Sequence, residues 1–147
     1  MKTFHHTLSY STGGGLEFRD VSDEILKLVE KSGIRNGLVN IQTLHTTAGL
    51  LLNENEPLLL NDLKKHLEKI ASEADVYEHD DFNVRTVNMC DGECANGHAH
   101  LKASHLAATA TLNLIDGKLQ LGQWQRILFV ELDRARERDL QVLILGE

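Results

Sequence analysis

Apolar and polar residues alternate from Lys2 to Tyr10, with Phe4, His6, Leu8 and Tyr10 on one face. That period of two is the mark of a half-buried strand. Gly13-Gly14-Gly15 then reads as a loop or bulged turn. Ser22 is placed to cap a helix in which Ile25, Leu26, Leu28 and Val29 recur at helical spacing to Lys31, with Gly33 as the C-cap. Gly37 to Thr46 alternates again and predicts a second strand. Pro57 lies near the first turn of a second helix, where its missing N–H costs nothing. Leu58, Leu59, Leu63, Leu67 and Ile70 continue that helix as an apolar stripe to about Ala71.

The alanine-rich stretch Leu101 to Ala108 predicts a third helix. Ala110 to Ile115 is a strand, Asp116-Gly117 a two-residue hairpin turn, and Lys118 to Leu121 the return. Ile127 to Leu132 and Leu140 to Leu145 are two further strands. Helices fall between hairpin-rich strands, without regular βαβ alternation. The expected fold class is α+β, a single domain over 1–147 built on mostly antiparallel sheet with a few helices.

Composition narrows the partners more than the fold. The chain has 147 residues, is 41% apolar and carries a formal charge of −7, which argues against nucleic acid because phosphate neutralisation needs a basic surface. Lys64-Lys65 and the run Arg134, Arg136, Arg138 are interleaved with acids and read as solvated charged faces. No apolar run reaches the roughly 18–20 residues that span a bilayer, and Met1 to His6 holds no signal-peptide core. The expectation is a cytoplasmic protein with no membrane partner. Cys90 and Cys94 make no disulfide scaffold.

Chemistry concentrates in Asn96-Gly97-His98-Ala99-His100-Leu101-Lys102-Ala103-Ser104. On an extended backbone His98 and His100 share a face and could share one metal ion or one anion. His45-Thr46-Thr47-Ala48-Gly49 closes a predicted strand, and Asn53-Glu54-Asn55-Glu56 follows, a placement suited to presenting rigid polar groups. Asp80-Asp81 could hold a hard ion such as magnesium. Glu131 interrupts an apolar strand: either it faces solvent, or an inward carboxylate there needs a partner such as Arg126 or Lys102. Trp124 reads as core or interface packing. Cys90-x3-Cys94-x3-His98-x-His100 offers zinc-type ligands, but its spacing is not that of a zinc knuckle.

These clusters, in this order, resemble the YjbQ family, also called secondary thiamine-phosphate synthases. The residues that carry the resemblance are His45 to Gly49 with Asn53-Glu54-Asn55, His79-Asp80-Asp81, Asn96 to Ala103, Asp116 to Ile127, Phe129 to Asp133, and Gly146-Glu147. They span nearly the whole chain. The resemblance implies a small, mostly antiparallel α+β domain that forms homotrimers, with a polar, metal-binding site near subunit contacts. It also implies the joining of an aminopyrimidine diphosphate to a thiazole phosphate with release of pyrophosphate. The chain departs from the family where His105-Leu106-Ala107-Ala108-Thr109 replaces a Leu-Leu-Gly-Ser-Ser-like segment. It departs again where Asp133-Arg134-Ala135-Arg136 replaces Asp-Gly-Pro-Arg.

Two functions follow as expectations. The first is an enzyme with a divalent ion, zinc or magnesium, on His45, His98 and His100. Three imidazoles leave a coordination position open for water or substrate. Lys102 and Arg126 would hold a small phosphorylated or anionic ligand, and Glu54 or Asp81 would act as general base or orient the ligands. The second is a non-catalytic trimeric module that binds metal or anion with the same cluster.

Overall fold

The computed structural model describes residues 1–147, and its strands pair antiparallel throughout. Five of them form one sheet. Strand β1 (Lys2–Ser11) lies at its edge, followed in space by β8 (Glu137–Gly146), β3 (Gly37–Thr43), β5 (Thr109–Ile115) and β6 (Lys118–Leu119). A smaller sheet places β7 (Arg126–Glu131) between β2 (Glu17–Asp20) and β4 (Ala48–Asn53). Helices α1 (Ser22–Ser32), α2 (Pro57–Ile70) and α3 (Gly97–Ala103) complete the α+β domain, with one 3-10 turn at Glu78–Asp80.

The layers follow from which faces are apolar. Val39, Ile41, Leu112, Leu114, Val142 and Ile144 of the large sheet face Leu50, Ile127 and Phe129 of the small one, and Val21, with Ile25 and Val29 of α1, packs into the same core. The opposite face of the small sheet packs Val130 and Leu132 against Leu67 of α2 and Ala99 of α3. Strand β7 is therefore covered on both faces, which is why Ile127-Leu128-Phe129-Val130 is an unbroken apolar run. The outer face of the large sheet is uncovered and exposes Leu38, Ile115 and Leu143. No helix is long and apolar enough to cross a membrane.

Several expected boundaries moved for identifiable reasons. Strand β4 was not anticipated: Gly49-Leu50-Leu51-Leu52 lacks alternation, because Leu50 and Leu52 pack on the main core while Leu51 packs on the smaller cluster. Ser22 is the first residue of α1 and not its cap; its hydroxyl accepts the Ile127 amide at 2.7 Å. The expected hairpin at Asp116-Gly117 is present, with φ of 51° and 76° at its two residues, the conformation that a two-residue turn between right-twisted strands requires. Trp124 is exposed and is not core.

The decisive shift is α3, which starts at Gly97 and ends at Ala103 where a helix over 101–108 was expected. Asp80 sets its start, because Oδ1 accepts the amides of both Asn96 and Gly97 at 2.9 Å. A side chain at Gly97 would bring a Cβ to 2.6 Å from that of Tyr77. His98 and His100 therefore sit on a helix, about 200° apart around its axis, and the shared face expected of an extended backbone is overturned.

Candidate functional site

The two sides of α3 open onto different cavities. His100 lines a basin of about 490 Å³. His98 and Lys102, one turn apart on the other side, line a cleft of about 690 Å³.

The basin forms where β3, β7 and β8 end together. Glu131, at the end of β7, and Arg138, near the start of β8, are both buried and form an ion pair. Glu131 accepts from Arg138 Nε (2.6 Å) and Nη2, from Thr12 Oγ1 (2.9 Å), and from the amides of Leu132 and Asp133 (both 3.0 Å). Burial alone would raise its pKa, but these bonds, led by Arg138, hold it below the usual carboxylate range. Arg138 Nη2 also donates to Thr47 Oγ1 at 2.9 Å, leaving Nη1 without a protein partner. Arg136 repeats the pattern one step earlier: Nε and Nη2 donate to Asp133 Oδ2 at 3.0 and 2.8 Å. Asp133 is likewise held ionised against burial, by backbone, Arg136 and Asn96 bonds.

A third guanidinium comes from the loop after the 3-10 turn. Arg85 donates to the carbonyls of Asn88 (2.8 Å) and His79 (3.4 Å). Glu93 supplies the only carboxylate in the lining of the basin, against Arg85, Arg136 and Arg138. His79 and His100 meet edge to face with ring centres 4.6 Å apart. Burial first, and then the neighbouring His79, lower the pKa of His100 and favour its neutral form.

Two buried polar atoms in this basin have no hydrogen-bond partner, His79 Nε2 and Asn96 Oδ1. The Asn96 amide orientation is fixed, because Nδ2 donates to Asp133 Oδ2 at 3.2 Å and so turns the carbonyl away. Orphaned buried polar atoms call for a ligand, a water or an ion. Together with the neutral imidazole of His100 they suit a borderline divalent ion. No three His, Cys, Asp or Glu side chains of the chain converge as a metal site.

The expected site residues divide accordingly. His45 joins His100 in the basin, but its Nε2 accepts the Asp139 amide at 2.8 Å, so that lone pair is not available to a metal. His98 and Lys102 belong to the cleft, where Lys102 Nζ, with only 2% of its side chain exposed, donates to Glu68 Oε2 at 2.7 Å. That bond, the largest of several influences, lowers the Glu68 pKa to about 2. Asp81 accepts the Asn83 amide and lies outside both cavities, lining with His98 a third recess of about 450 Å³. Glu54 and Arg126 lie at the far end of the small sheet, five strand positions or ~17 Å from Glu131. Arg126 is engaged there by Asp20 (2.7 Å) and Asp23 (2.8 Å). Neither Arg126 nor Lys102 partners Glu131.

The basin's arginines were missed, and the signal for them was present. Arg138 continues the inward series Leu140, Val142, Ile144 back along β8, so its alternation with Glu137 and Asp139 marks a strand with one buried face. The reading of that run as a solvated face fails at Arg138.

The chain is thus an antiparallel α+β sandwich with a basin of arginine, histidine and asparagine at its strand ends. The comparisons place it further. The profile of the UPF0047 protein YjbQ-like family matches residues 6–147. A UPF0047 protein of Methanothermobacter thermautotrophicus is 33% identical over 147 residues, covering all of this chain and 95% of that one. YugU of Bacillus subtilis is 32% identical and covers 95% and 98%. A crystal structure of a YbjQ-like protein of unknown function from Sulfolobus solfataricus superposes with a TM-score of 0.86 at 36% identity, covering 99% of each chain. The chain belongs to the YjbQ-like UPF0047 family.

Proposed function

We propose that this protein is an enzyme that binds a phosphorylated small molecule in the basin and acts on it by neutralising the charge of a departing phosphate or diphosphate. The observation that carries the reading is the convergence of Arg85, Arg136 and Arg138 on one cavity with a single carboxylate in its lining. Arg136 and Arg138 are held from behind by Asp133 and Glu131, which fixes their planes and leaves Nη1 of each unspent. Preorganised donors of this kind stabilise charge that develops on a leaving group. The family resemblance supplies the specific candidate: an aminopyrimidine diphosphate joined to a thiazole phosphate, giving thiamine phosphate and pyrophosphate.

A divalent ion, with zinc better suited than magnesium to nitrogen donors, would be held by His79, His100 and the Asn96 carbonyl. When bound, it would add Lewis-acid neutralisation of the same phosphate oxygens. We propose, too, that the chain assembles as a homotrimer, supported by the open edge of β1 and the bare outer face of the large sheet. A trimer mass by light scattering at micromolar concentration is expected, and a monomer mass refutes it.

The functional test is release of pyrophosphate from the two thiamine precursors by wild-type protein and by Arg136→Gln. Turnover in the first that falls at least tenfold in the second supports the enzyme. Tight pyrophosphate binding without turnover of any phosphate ester favours the non-catalytic binding module.

A further inference from the structure

Resting on the basin as the ligand site, we propose that His45 is a locked hydrogen-bond donor to the anionic ligand, its tautomer fixed by strand β8. Strand β3 ends at Thr43, yet its ladder to β8 runs one residue further, since the Leu44 amide donates to the Asp139 carbonyl at 3.4 Å. In an antiparallel pair that exchanges both bonds, the Asp139 amide would return to the Leu44 carbonyl. It donates instead to His45 Nε2, at 2.8 Å. The imidazole replaces a backbone carbonyl as the last acceptor of the ladder.

That substitution dictates the chemistry of the ring. With the Nε2 lone pair spent on an amide, neutral His45 carries its proton on Nδ1. Nδ1 has no protein partner and is not among the buried orphan atoms, and His45 lines the same cavity as Arg136 and Arg138. Burial, and after it the Arg138 guanidinium, favour the neutral ring. An Nδ1–H group cannot ligate a metal, so what His45 offers the basin is one fixed N–H. His79 and His100 differ, because neither ring accepts a backbone amide. A phosphoryl oxygen held by the arginines is the acceptor that this N–H suits.

The tautomer is read directly from long-range ¹H–¹⁵N spectra of ¹⁵N-labelled wild-type protein. The expected pattern is an unprotonated Nε2 and a protonated Nδ1, with and without added zinc; a proton on Nε2 overturns the proposal. His45→Gln sets an amide oxygen near the Nε2 position, so it keeps a ladder acceptor and removes the donor. Its melting temperature should stay near wild type while its pyrophosphate affinity falls about tenfold. His45→Ala should lose both. Zinc bound by wild type and lost in His45→Gln would make His45 a ligand and overturn the proposal. Wild-type binding with unchanged affinity in His45→Gln overturns the His45 contact alone. Failure of wild type to bind pyrophosphate overturns the basin reading, and the contact with it.

Discussion

Helix α3 divides two cavities that use cations in opposite ways. On the His100 side, arginines stand in front of carboxylates buried behind them, and each guanidinium keeps a donor to spare. On the His98 side the order is reversed. Lys102 is the buried partner, and Glu68, with 44% of its side chain exposed, stands toward solvent. A planar guanidinium can bond backward and forward at once, whereas an ammonium is a point charge. A cation paired with a carboxylate therefore leaves donors facing the cavity on one side of α3 and makes a strut between α2 and α3 on the other.

Stability should separate the two pairs most strongly. Arg138→Met strands Glu131 as an unpaired buried carboxylate, and it is expected to cost ~3–5 kcal/mol. Lys102→Met leaves Glu68 free to rehydrate and should cost at most ~1 kcal/mol. Urea denaturation measures both. Equal losses would remove the asymmetry between the cavities.

Anion affinity should divide the same way with a smaller effect. Arg136→Gln is expected to weaken pyrophosphate binding about tenfold, the worth of one charge-assisted hydrogen bond. Lys102→Met should leave it within about twofold, since the ammonium is already engaged. A tenfold loss on removing Lys102, measured by calorimetric titration, would return that residue to the ligand site.

Acid gives a subtler test. Glu68 has its pKa lowered from 4.5 to about 2 in the folded protein, chiefly by Lys102. A depressed carboxylate contributes stability that is complete above its unfolded pKa and is lost as pH falls through the folded one. The stability difference between wild type and Lys102→Met should therefore be constant above pH 4.5 and shrink toward pH 2. A difference that grows on acidification contradicts the Lys102–Glu68 pairing.

What the sequence disclosed follows the same division. Elements with one buried face were legible, because β1, β5 and β8 alternate and α1 and α2 carry apolar stripes. Strand β4 was not, because burial on both sides erases alternation. His45 and His100, both singled out from the sequence, line the same basin, but their surroundings were not legible. They depend on Asp139 and Asp80, partners 94 and 16–17 residues away that fix a tautomer and a helix start. For Glu131 the sequence left open a solvent-facing or an inward carboxylate; it is inward, and its cation is Arg138, which had been counted with its solvated neighbours.

The smallest effect is expected in the loop that borders both cavities. Glu93 lines the basin and Cys94 the cleft, while Cys90 and Cys94 are free and exposed thiols. Cys90 Sγ donates to Glu93 Oε2 at 3.4 Å, and this bond, with the carboxylate's charge, raises the pKa of the thiol, so it is no activated nucleophile. The Cys90 amide donates to the same oxygen at 3.2 Å and holds Glu93 without the sulfur. A serine hydroxyl can replace the thiol as donor. The double variant Cys90→Ser, Cys94→Ser should thus change stability by less than ~0.5 kcal/mol. It should also leave zinc stoichiometry and pyrophosphate affinity as in wild type. Zinc lost from the double variant but retained in His79→Ala would move the metal from the basin to the cysteine loop, and the two sides of α3 would exchange roles.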